Sequence, residues 1–509
     1  MTTGRSASTG GNAPSSKTTS GFRANEDEPE GGMMIFKQFY LPSLSHASYF
    51  IGDEKSGLAL VVDPQRDIEQ YLHEAEKHNL TIAYVFLTHV HADFIAGHLE
   101  LQDHTDASIC LGANAQVDYA FQPLAQGDEI ECGDVRIRVL ETPGHTLESI
   151  SLVVFDLRRS SDRPYAILTG DTLLIGNVGR PDLCRSQGIS PQTLAEQLYD
   201  SLHQKVLPLP NETRIYPAHG PGTHCAKFLS PELCSTLGAQ KHANRALQAE
   251  TKETFINLLT AHQPEPPPYF SYDAALNTRN RSRLEHVLLH ALNPLTLDQV
   301  LRWKTSRAQM LDVRDPADFA GGYLVDSINI GLNGKFETWA GTLLHPEAPI
   351  VLITEAGQAR QTVLRLARIG FDQVVGYLKN GALALKATPE LLRTVHRITA
   401  EDLDARLMRD DQPYIVDVRA EEEWAERRIN HSVNIPLDRL PARLQEIPTC
   451  SEVVVYCSNG YRSSIAASLL QRHDCCHVND LIGGFEVWEH MVMNPLRESA
   501  DVSNEVGGR

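Results

Sequence analysis

The chain has 509 residues, which is enough for about three domains, and its formal net charge of −19 argues against a surface that binds nucleic acid or an anionic membrane. Hydrophobic residues make up 42% of it, so sizeable cores can form, yet no apolar stretch approaches the roughly 20 residues of a membrane helix. The nine cysteines are scattered and include no C-x-x-C pair, which favours a reducing cytoplasm over a disulfide framework.

The N-terminal segment, residues 1–33, is rich in Ser, Thr, Gly and Asn and then in Glu, a composition that predicts a disordered tail. It lacks the apolar core of a secretory signal, and its acidic residues weaken an organelle-targeting interpretation. From Ile35 onward, alternating apolar residues predict the first sheet. The elements predicted here are a strand pair over 47–52 and 57–64, a helix over 68–78 and a longer helix over 236–261.

Polar side chains follow four apolar runs between residues 84 and 220. The first run, Tyr84 to Leu87, leads into Thr-His-Val-His-Ala-Asp-Phe, where His89 and His91 project to the same side of an extended chain. Imidazoles and carboxylates at strand ends, with Gly or Pro nearby for tight turns, are typical ligands of zinc or iron. The three later runs end on His145, Asp171 and His219.

These four segments together resemble the motif set of the metallo-β-lactamase superfamily, over about residues 34–270. The resemblance implies an αββα sandwich with a metal site at one edge, between two sheets. Members with two metals usually have the pattern H-x-H-x-D-H, whose last histidine helps to hold the second ion. Here that position is Phe94, which has no donor atom, and His98 is a weaker replacement about one helical turn further on. One metal is therefore expected rather than two.

With one metal, the resemblance implies that the ligands are His89, His145 and Asp171. Two histidines and a carboxylate on one face leave other positions open, as in non-haem Fe(II) oxygenases. This description is similar to that of the persulfide dioxygenases, so one Fe(II) per chain is the expected cofactor, with zinc if the site is hydrolytic. Hydrogen bonds that orient the ligands or the substrate are then expected from His91, Asp93 and His219.

The segment Gly179-Arg180-Pro181-Asp182 resembles the G-R-x-D loop of the same enzymes. Arg180 is a candidate clamp for an anionic thiol substrate because its planar guanidinium pairs with carboxylates, and Asp182 accompanies it in the motif. The alternative is an internal salt bridge between Arg180 and Asp182, which would occupy both groups.

A proline-rich run at 264–268 predicts the end of the first domain, and residues 271–295 are expected to be a partly helical linker. An internal repeat follows, in which Asp312 matches Asp417 and Ile330 matches Ile435, both pairs 105 positions apart. Thr296 and Thr399 each open a helix as an N-cap. Alternating strands and helices predict small α/β domains with parallel sheets over 296–390 and 397–495, before a tail at 496–509.

In the second copy, a buried strand ends on Cys457 and a short loop leads into a helix. The loop amides and the helix N-terminus favour negative charge on the sulfur, and Arg462 adds a cation. With the later Gly-Gly-Phe at 483–485, this segment resembles the active-site loop of the rhodanese sulfurtransferases. A phosphatase-like loop would normally have one more residue between cysteine and arginine. In the first copy Thr354 stands where Cys457 does, so this copy is expected to be unable to carry sulfur.

The order of the three domains looks like that of the fused bacterial persulfide dioxygenase–sulfurtransferases. This resemblance implies that O2 oxidises a small thiol persulfide, such as glutathione or coenzyme A persulfide, to sulfite and thiol. Cys457 would move sulfane sulfur, with formation of thiosulfate in one direction. The direction of transfer, the thiol carrier and a homo-oligomeric state stay open.

Two alternatives belong to other classes. A glyoxalase II-type hydrolase would cleave a glutathione thioester with metal-bound hydroxide and a well-held metal pair, which Phe94 disfavours. A sulfur-relay or scaffold protein would have a decayed metal domain, and the intact histidines and aspartates argue against that. For the dioxygenase interpretation, the expected partners are a small thiol persulfide, O2 and sulfite or thiosulfate, with no nucleic acid and no membrane.

Overall fold

The computed structural model of the chain describes residues 34–183, 188–261, 263, 265–386, 388–409, 412–473, 475 and 477–493. The predicted tails, 1–33 and 496–509, lie outside these residues. Within the described ranges, no helix combines the length and the apolar character needed to cross a membrane.

Two six-stranded sheets form the first domain, each with its strands side by side in chain order. The strands of the first sheet are β1 (Met34–Leu41), β2 (His46–Asp53), β3 (Leu58–Val62), β4 (Thr81–Phe86), β5 (Ser108–Gly112) and β6 (Gln122–Leu124). The strands of the second are β7 (Glu129–Cys132), β8 (Val135–Glu141), β9 (Ile150–Asp156), β10 (Ala166–Gly170), β11 (Arg214–Pro217) and β12 (Ser235–Thr236). The predicted strand pair is confirmed as β2 and β3, which are antiparallel neighbours.

Helices cover the outer faces of both sheets. Helices α1 (Glu69–Lys77) and α2 (His98–Thr105) pack on the first sheet. Helices α3 (Pro191–Ser201), α4 (Leu237–Ala243) and α5 (Lys252–Thr260) pack on the second. Between the sheets, Val62 and Phe86 meet Ile137, Leu152 and Leu168 in a buried apolar layer. The αββα sandwich is therefore confirmed.

The prediction of one long helix over 236–261 was wrong, because the structure has two separate helices, α4 and α5, in this range. Thr236 and Thr251 cap α4 and α5 separately, each accepting a hydrogen bond from an amide three residues later. Between them, Asn244 has an extended backbone, and its amide group donates to the carbonyls of Leu174 and Asn177. These tertiary hydrogen bonds hold the chain out of a helical path.

The segment predicted as a linker contains two helices, α6 (Tyr269–Asn277) and α7 (Leu284–Ala291). A parallel five-stranded sheet follows, in the spatial order β13-β18-β17-β14-β16, and a small antiparallel pair, β15-β19, lies beside it. These strands are β13 (Pro294–Leu295), β14 (Gln309–Asp312), β15 (Tyr323–Leu324), β16 (Ile328–Asn329), β17 (Ile350–Ile353), β18 (Val374–Leu378) and β19 (Leu392–Arg393). Its helices are α8 (Leu297–Thr305), α9 (Pro316–Gly321), α10 (Phe336–Leu343) and α11 (Ala359–Ala367).

The sheet of the second repeat has the same strand order, β20-β24-β23-β21-β22, and this identity supports the internal repeat. Its strands are β20 (His396–Ile398), β21 (Tyr414–Asp417), β22 (Val433–Asn434), β23 (Val453–Tyr456) and β24 (Val478–Leu481). Its helices are α12 (Ala400–Leu407), α13 (Glu421–Glu426), α14 (Leu440–Arg443), α15 (Tyr461–Arg472) and α16 (Gly484–Met493). Thr296 and Thr399 close capping boxes at α8 and α12, so both predicted N-caps are confirmed.

Buried charge joins the first domain to the first repeat. The guanidinium of Arg66 is fully buried and donates to both oxygens of Asp372, at 2.6 and 2.8 Å, and to the carbonyl of Ala367. Arg368 returns the contact by pairing with Asp67 at 2.6 Å. A single apolar cluster also runs from Phe94 through the linker helices into both repeats. The domains are thus packed through a shared core.

We expect Asp372→Ala to destabilise the protein by about 3 kcal/mol, because Arg66 would stay buried without its closest carboxylate. Urea unfolding of the full chain measures this as a lower midpoint. Glu421→Ala is the matched control, since Glu421 and its partner Arg439 are both more than half exposed and should contribute about 1 kcal/mol or less. Equal shifts in the two variants would contradict a stabilising role for the buried pair.

Candidate functional site

The ends of four strands converge at one edge of the sandwich. His89 follows β4, His145 follows β8, Asp171 follows β10 and His219 follows β11. The ligand atoms of His89, His145 and Asp171 lie within 4.8 Å of one another, and we call these three residues the first group. A second group with the same spacing consists of His91, Asp93 and His219. All six side chains are buried.

Hydrogen bonds fix the tautomer of both histidines in the first group. His145 donates from Nδ1 to the carbonyl of Arg180 at 2.8 Å, so its Nε2, 3.5 Å from Asp171 Oδ2, carries a lone pair. Thr88 Oγ1 donates to Asp63 at 2.9 Å and therefore accepts from His89 Nδ1 at 3.0 Å. Each ring thus presents an unprotonated Nε2, the form that binds a metal.

The charge states of the first group suit a cation. Burial lowers the pKa of both His89 and His145 below the usual range of histidine, so both rings are neutral near pH 7. Burial alone would raise the pKa of the Asp171 carboxyl. The charge and hydrogen bond of His219 outweigh that effect and hold this pKa well below its usual range. Two neutral imidazoles and an ionised carboxylate form a set ready to bind metal.

Carboxylates contact both histidines of the second group. His219 lies between two of them, with Nδ1 2.8 Å from Asp171 and Nε2 3.0 Å from Asp93. Burial lowers the pKa of His219, but Asp171 and Asp93 together raise it well above the usual range, so this ring is an imidazolium. His91 Nε2 lies 2.9 Å from Asp63. Two carboxylates therefore hold His219, whereas both ring nitrogens of His91 and Oδ1 of Asp93 are buried without a hydrogen-bond partner among the described residues.

The first group also contains a polar atom that a metal would satisfy. Among the described residues, no hydrogen-bond partner reaches the buried Oδ2 of Asp171, the oxygen that faces His145. A buried carboxylate oxygen in that state costs free energy unless an ion fills the place of the hydrogen bond. The residues of the first group therefore fit a metal ion.

Phe94 and His46 fill the space beside the second group. Phe94 is buried in the apolar core, and its ring centroid lies 3.9 Å from that of His46 and 4.5 Å from that of His91. His46 is fully buried at the start of β2 and bridges His219 through the backbone. Because His46 stands alone at the start of a strand, no sequence pattern marks it as part of a metal site. His98, the first residue of α2, packs against Tyr119 and belongs to neither group.

The sequence patterns did not identify two further residues of the site, Cys225 and Asn277. Cys225 is buried, with its sulfur in ligand distance of Asp171 and His219. Its position six residues past His219 was the available signal. Asn277 on α6 donates to the carbonyls of His91 and Phe94, at 2.8 and 2.7 Å, and accepts from the amide of Ala96. No local pattern links Asn277 to a segment more than 180 residues earlier.

The candidate substrate clamp is engaged within the protein. Arg180 is 2% exposed, and its Nε and Nη2 donate to the two oxygens of Asp182 at 2.6 and 2.9 Å. This geometry favours the internal salt bridge over contact with a substrate. The same loop has a positioning role, because the Arg180 carbonyl holds His145.

A cavity of about 560 Å³ opens beside the metal groups. This size is suitable for a small molecule. Its lining contains both apolar and polar residues, among them Val90, Ala92, Thr146, Glu148 and Phe270.

Cys457 lies where the sequence predicts, at the end of β23 and before α15. Its sulfur is fully buried and accepts from the amide of Gly460 at 3.2 Å. The Gly-Gly motif packs directly on this loop, since a Cβ on Gly484, whose φ is +61°, would come within 2.3 Å of the Cys457 carbonyl oxygen. Arg462 does not act as an isolated cation near the sulfur, because it pairs with both oxygens of Glu423 at 2.7 and 2.8 Å.

Thr354 takes the corresponding place in the first repeat. It follows β17 as Cys457 follows β23, and a Cβ on Gly381 would meet its carbonyl oxygen at 2.5 Å, as Gly484 meets that of Cys457. Residues 296–390 contain no cysteine. The loop geometry is thus kept without a sulfur.

Comparison with known proteins agrees with this architecture. Residues 42–219 match the metallo-beta-lactamase superfamily, and residues 296–388 and 399–491 match the rhodanese-like domain. Over 203 residues the chain is 30% identical to the mitochondrial persulfide dioxygenase ETHE1 of Bos taurus, a match that covers 39% of this chain and 73% of that protein. It is 34% identical over 186 residues to the cytoplasmic hydroxyacylglutathione hydrolase of Arabidopsis thaliana, covering 36% and 67%.

A solved structure extends the likeness beyond the first domain. The metallo-beta-lactamase from Staphylococcus aureus subsp. aureus COL is 31% identical, with a TM-score of 0.61, and the match covers 68% of this chain and 99% of that one. The chain therefore belongs to the metallo-beta-lactamase superfamily. More particularly, it is an enzyme in which that domain is fused to two rhodanese-like domains.

We expect Asn277→Ala to weaken metal binding by roughly tenfold. The loop that carries the ligand His89, together with His91 and Phe94, would lose three hydrogen bonds that hold its backbone. Competition with a chelator measures the change. Asn257→Ala, on the exposed face of α5, is the matched control and should bind metal as the wild type does. Equal affinity in all three proteins would exclude a role for Asn277 in holding the site.

Proposed function

We propose that the first domain oxidises a small thiol persulfide with O2 and that Cys457 transfers sulfane sulfur. The balanced reaction is RSSH + O2 + H2O → RSH + H2SO3. The observation that carries this proposal is the state of the first group: two neutral imidazoles face an ionised, buried carboxylate, and among the described residues no hydrogen bond reaches one oxygen of that carboxylate.

One Fe(II) ion held by His89, His145 and Asp171 is the cofactor that we propose. A face of two histidines and one carboxylate is the ligand set of non-haem Fe(II) oxygenases. Iron in such a site supplies the redox chemistry by which O2 is added to a substrate. The similarity to persulfide dioxygenases supports iron over zinc here.

The remaining residues of the site hold charge and exclude water. His219 keeps a proton between Asp171 and Asp93, which offsets the negative charge that an anionic persulfide would meet. Asp63 accepts a hydrogen bond from Thr88, which in turn accepts from His89, and another Asp63 contact brings a carboxylate oxygen within 2.9 Å of His91 Nε2. Phe94 packs its ring against His46 and His91 and is buried in the apolar core. The cavity beside Val90 and Phe270 is the place that we propose for the thiol carrier.

Cys457 supplies the second activity in this proposal. Its sulfur accepts one loop amide, and such contacts stabilise the negative charge of a thiolate or persulfide. Transfer to sulfite is balanced as Cys–S–S⁻ + SO3²⁻ → Cys–S⁻ + S2O3²⁻, with the terminal S–S bond broken and a new one formed to sulfite. The reverse step loads the cysteine from thiosulfate.

A thioester hydrolase is the second candidate, and one observation favours it. Hydroxyacylglutathione hydrolases are among the relatives of this chain at a similar identity. That reaction needs a second metal at His91, Asp93 and His219. Such an ion would have to displace the proton of His219 and the contact of His91 with Asp63, and Phe94 offers it no ligand.

We expect Asp171→Ala to abolish iron binding and persulfide-dependent O2 uptake, because the first group loses its only carboxylate. The same variant should keep sulfur transfer from thiosulfate to cyanide, which depends on Cys457. Cys457→Ser should show the opposite result, with O2 uptake kept and thiosulfate formation lost. An oxygen electrode and a thiocyanate assay on both variants measure this. If thiosulfate output were unchanged in Cys457→Ser, the transfer role of this cysteine would be excluded.

We expect Phe94→His to raise the metal capacity of the protein from one ion to two, because it restores the donor of the H-x-H-x-D-H pattern. Metal content after dialysis against Zn²⁺ measures the change. Phe39→His, at a partly buried position that packs against the α1 side of the first sheet, is a control for the added histidine alone. A capacity of one ion in Phe94→His would show that this position does not limit the second site.

A further inference from the structure

The active-site helix of the second repeat begins on a side chain that the first repeat holds. Tyr461, the first residue of α15, is partly buried, and its hydroxyl donates to the carbonyl of Gly331 at 2.8 Å. The ring lies against Gly334, where an added Cβ would come within 2.4 to 2.7 Å of three ring atoms. Gly331 and Gly334 therefore form a slot for this ring, and we call these two residues the tyrosine slot.

The slot is fixed from behind by a buried ion pair. Arg365 donates to the carbonyl of Leu332 at 2.6 Å and pairs with Glu337 at 2.8 Å. Glu337 is fully buried and also accepts from Ser43 of the first domain at 2.9 Å. Breaking such a pair is costly. The slot therefore has a defined position relative to the metal domain as well as to the second repeat.

A second contact holds the same helix. Ser464 donates to the side-chain oxygen of Asn329 at 2.7 Å, and the backbone N–H of Asn329 donates to the hydroxyl of Ser468 at 3.1 Å. These three groups are buried. Asn329 also donates to the carbonyls of Asp312 and Arg314 in its own domain. One edge of the first repeat thus holds the first two turns of α15.

Tyr461 directly follows the loop that contacts the Cys457 sulfur. Gly460, whose amide donates to Cys457 at 3.2 Å, immediately precedes it. The Tyr461 amide itself donates to the side chain of Asn459 in the same loop. A displacement of the ring would therefore move the amide that contacts the sulfur.

We propose that the first repeat, which has no cysteine of its own, is a positioning domain for Cys457, and that Tyr461 in the tyrosine slot is the positioning residue. This inference rests on the proposed sulfur transfer by Cys457. It gives the repeat with Thr354 a defined role, because that repeat sets the geometry of the sulfur-carrying loop without carrying sulfur itself.

Gly334→Ala tests the slot in the full-length protein. We expect the rate of sulfur transfer from thiosulfate to cyanide to fall by roughly ten- to hundredfold, because the added methyl group displaces the Tyr461 ring. The pH midpoint for alkylation of Cys457 by iodoacetamide, followed at the Cys457 peptide by mass spectrometry, should shift upward. Gly321→Ala is the matched control, because a Cβ there meets no atom within 4 Å among the described residues.

The Tyr461→Ala background separates positioning from general damage. With the ring removed, Gly334→Ala should cause no further loss, so the effects of the two substitutions should be strongly non-additive. Tyr461→Phe, which keeps the ring and removes the bond to Gly331, should shift the alkylation midpoint in the same direction by a smaller amount. This milder variant preserves the test if Gly334→Ala folds poorly.

Two results would overturn the inference. Gly334→Ala could match Gly321→Ala in both measurements, or it could lose as much activity in the Tyr461→Ala background as in the wild type. A wild-type protein without sulfur transfer would instead refute the proposed function. The alkylation midpoint would still decide whether the tyrosine slot positions Cys457.

Discussion

The carboxylate of Asp171 is the group on which the metal site depends. One of its oxygens accepts from His219, and the other faces His145. A buried carboxylate is costly unless charge or hydrogen bonds compensate it. Here His219 supplies a positive charge on one side, and the unsatisfied oxygen on the other side favours a cation. The strand ends that carry these residues are fixed by the two sheets, so the fold itself provides the compensation.

The rest of the molecule extends this arrangement outward. Asn277 on a linker helix bonds to the loop that carries His91, and Arg66 ties the first domain to the first repeat. The first repeat then holds Tyr461, which directly follows the Cys457 loop. Each of these contacts is directional and at least partly buried, so two separate chemistries are kept in one packed body. The repeat without cysteine lies between them and contacts both sides.

Much of this architecture could be predicted from local sequence. His89, His145 and Asp171 each closely follow an apolar run, so the position of the side chain depends only on where its strand ends. The repeat was visible because Asp312 and Asp417 keep their spacing to later strands. The capping threonines act within one turn of their own helices. These features need no knowledge of distant contacts.

The features that were missed depend on contacts between distant segments. Asn277 serves a loop more than 180 residues away, and Glu423 neutralises Arg462 across 39 positions. The break at Asn244 comes from the carbonyls of Leu174 and Asn177, which no helical pattern reveals. His46 has no neighbouring ligand in the sequence and reaches His219 only through the pairing of strand ends.

Metal analysis of the purified full-length protein, combined with O2 uptake in the presence of glutathione persulfide, tests the central claim most directly. We expect about one iron per chain and one O2 consumed for each sulfite formed. Two zinc ions per chain in a protein that consumes no O2 with persulfide would contradict it.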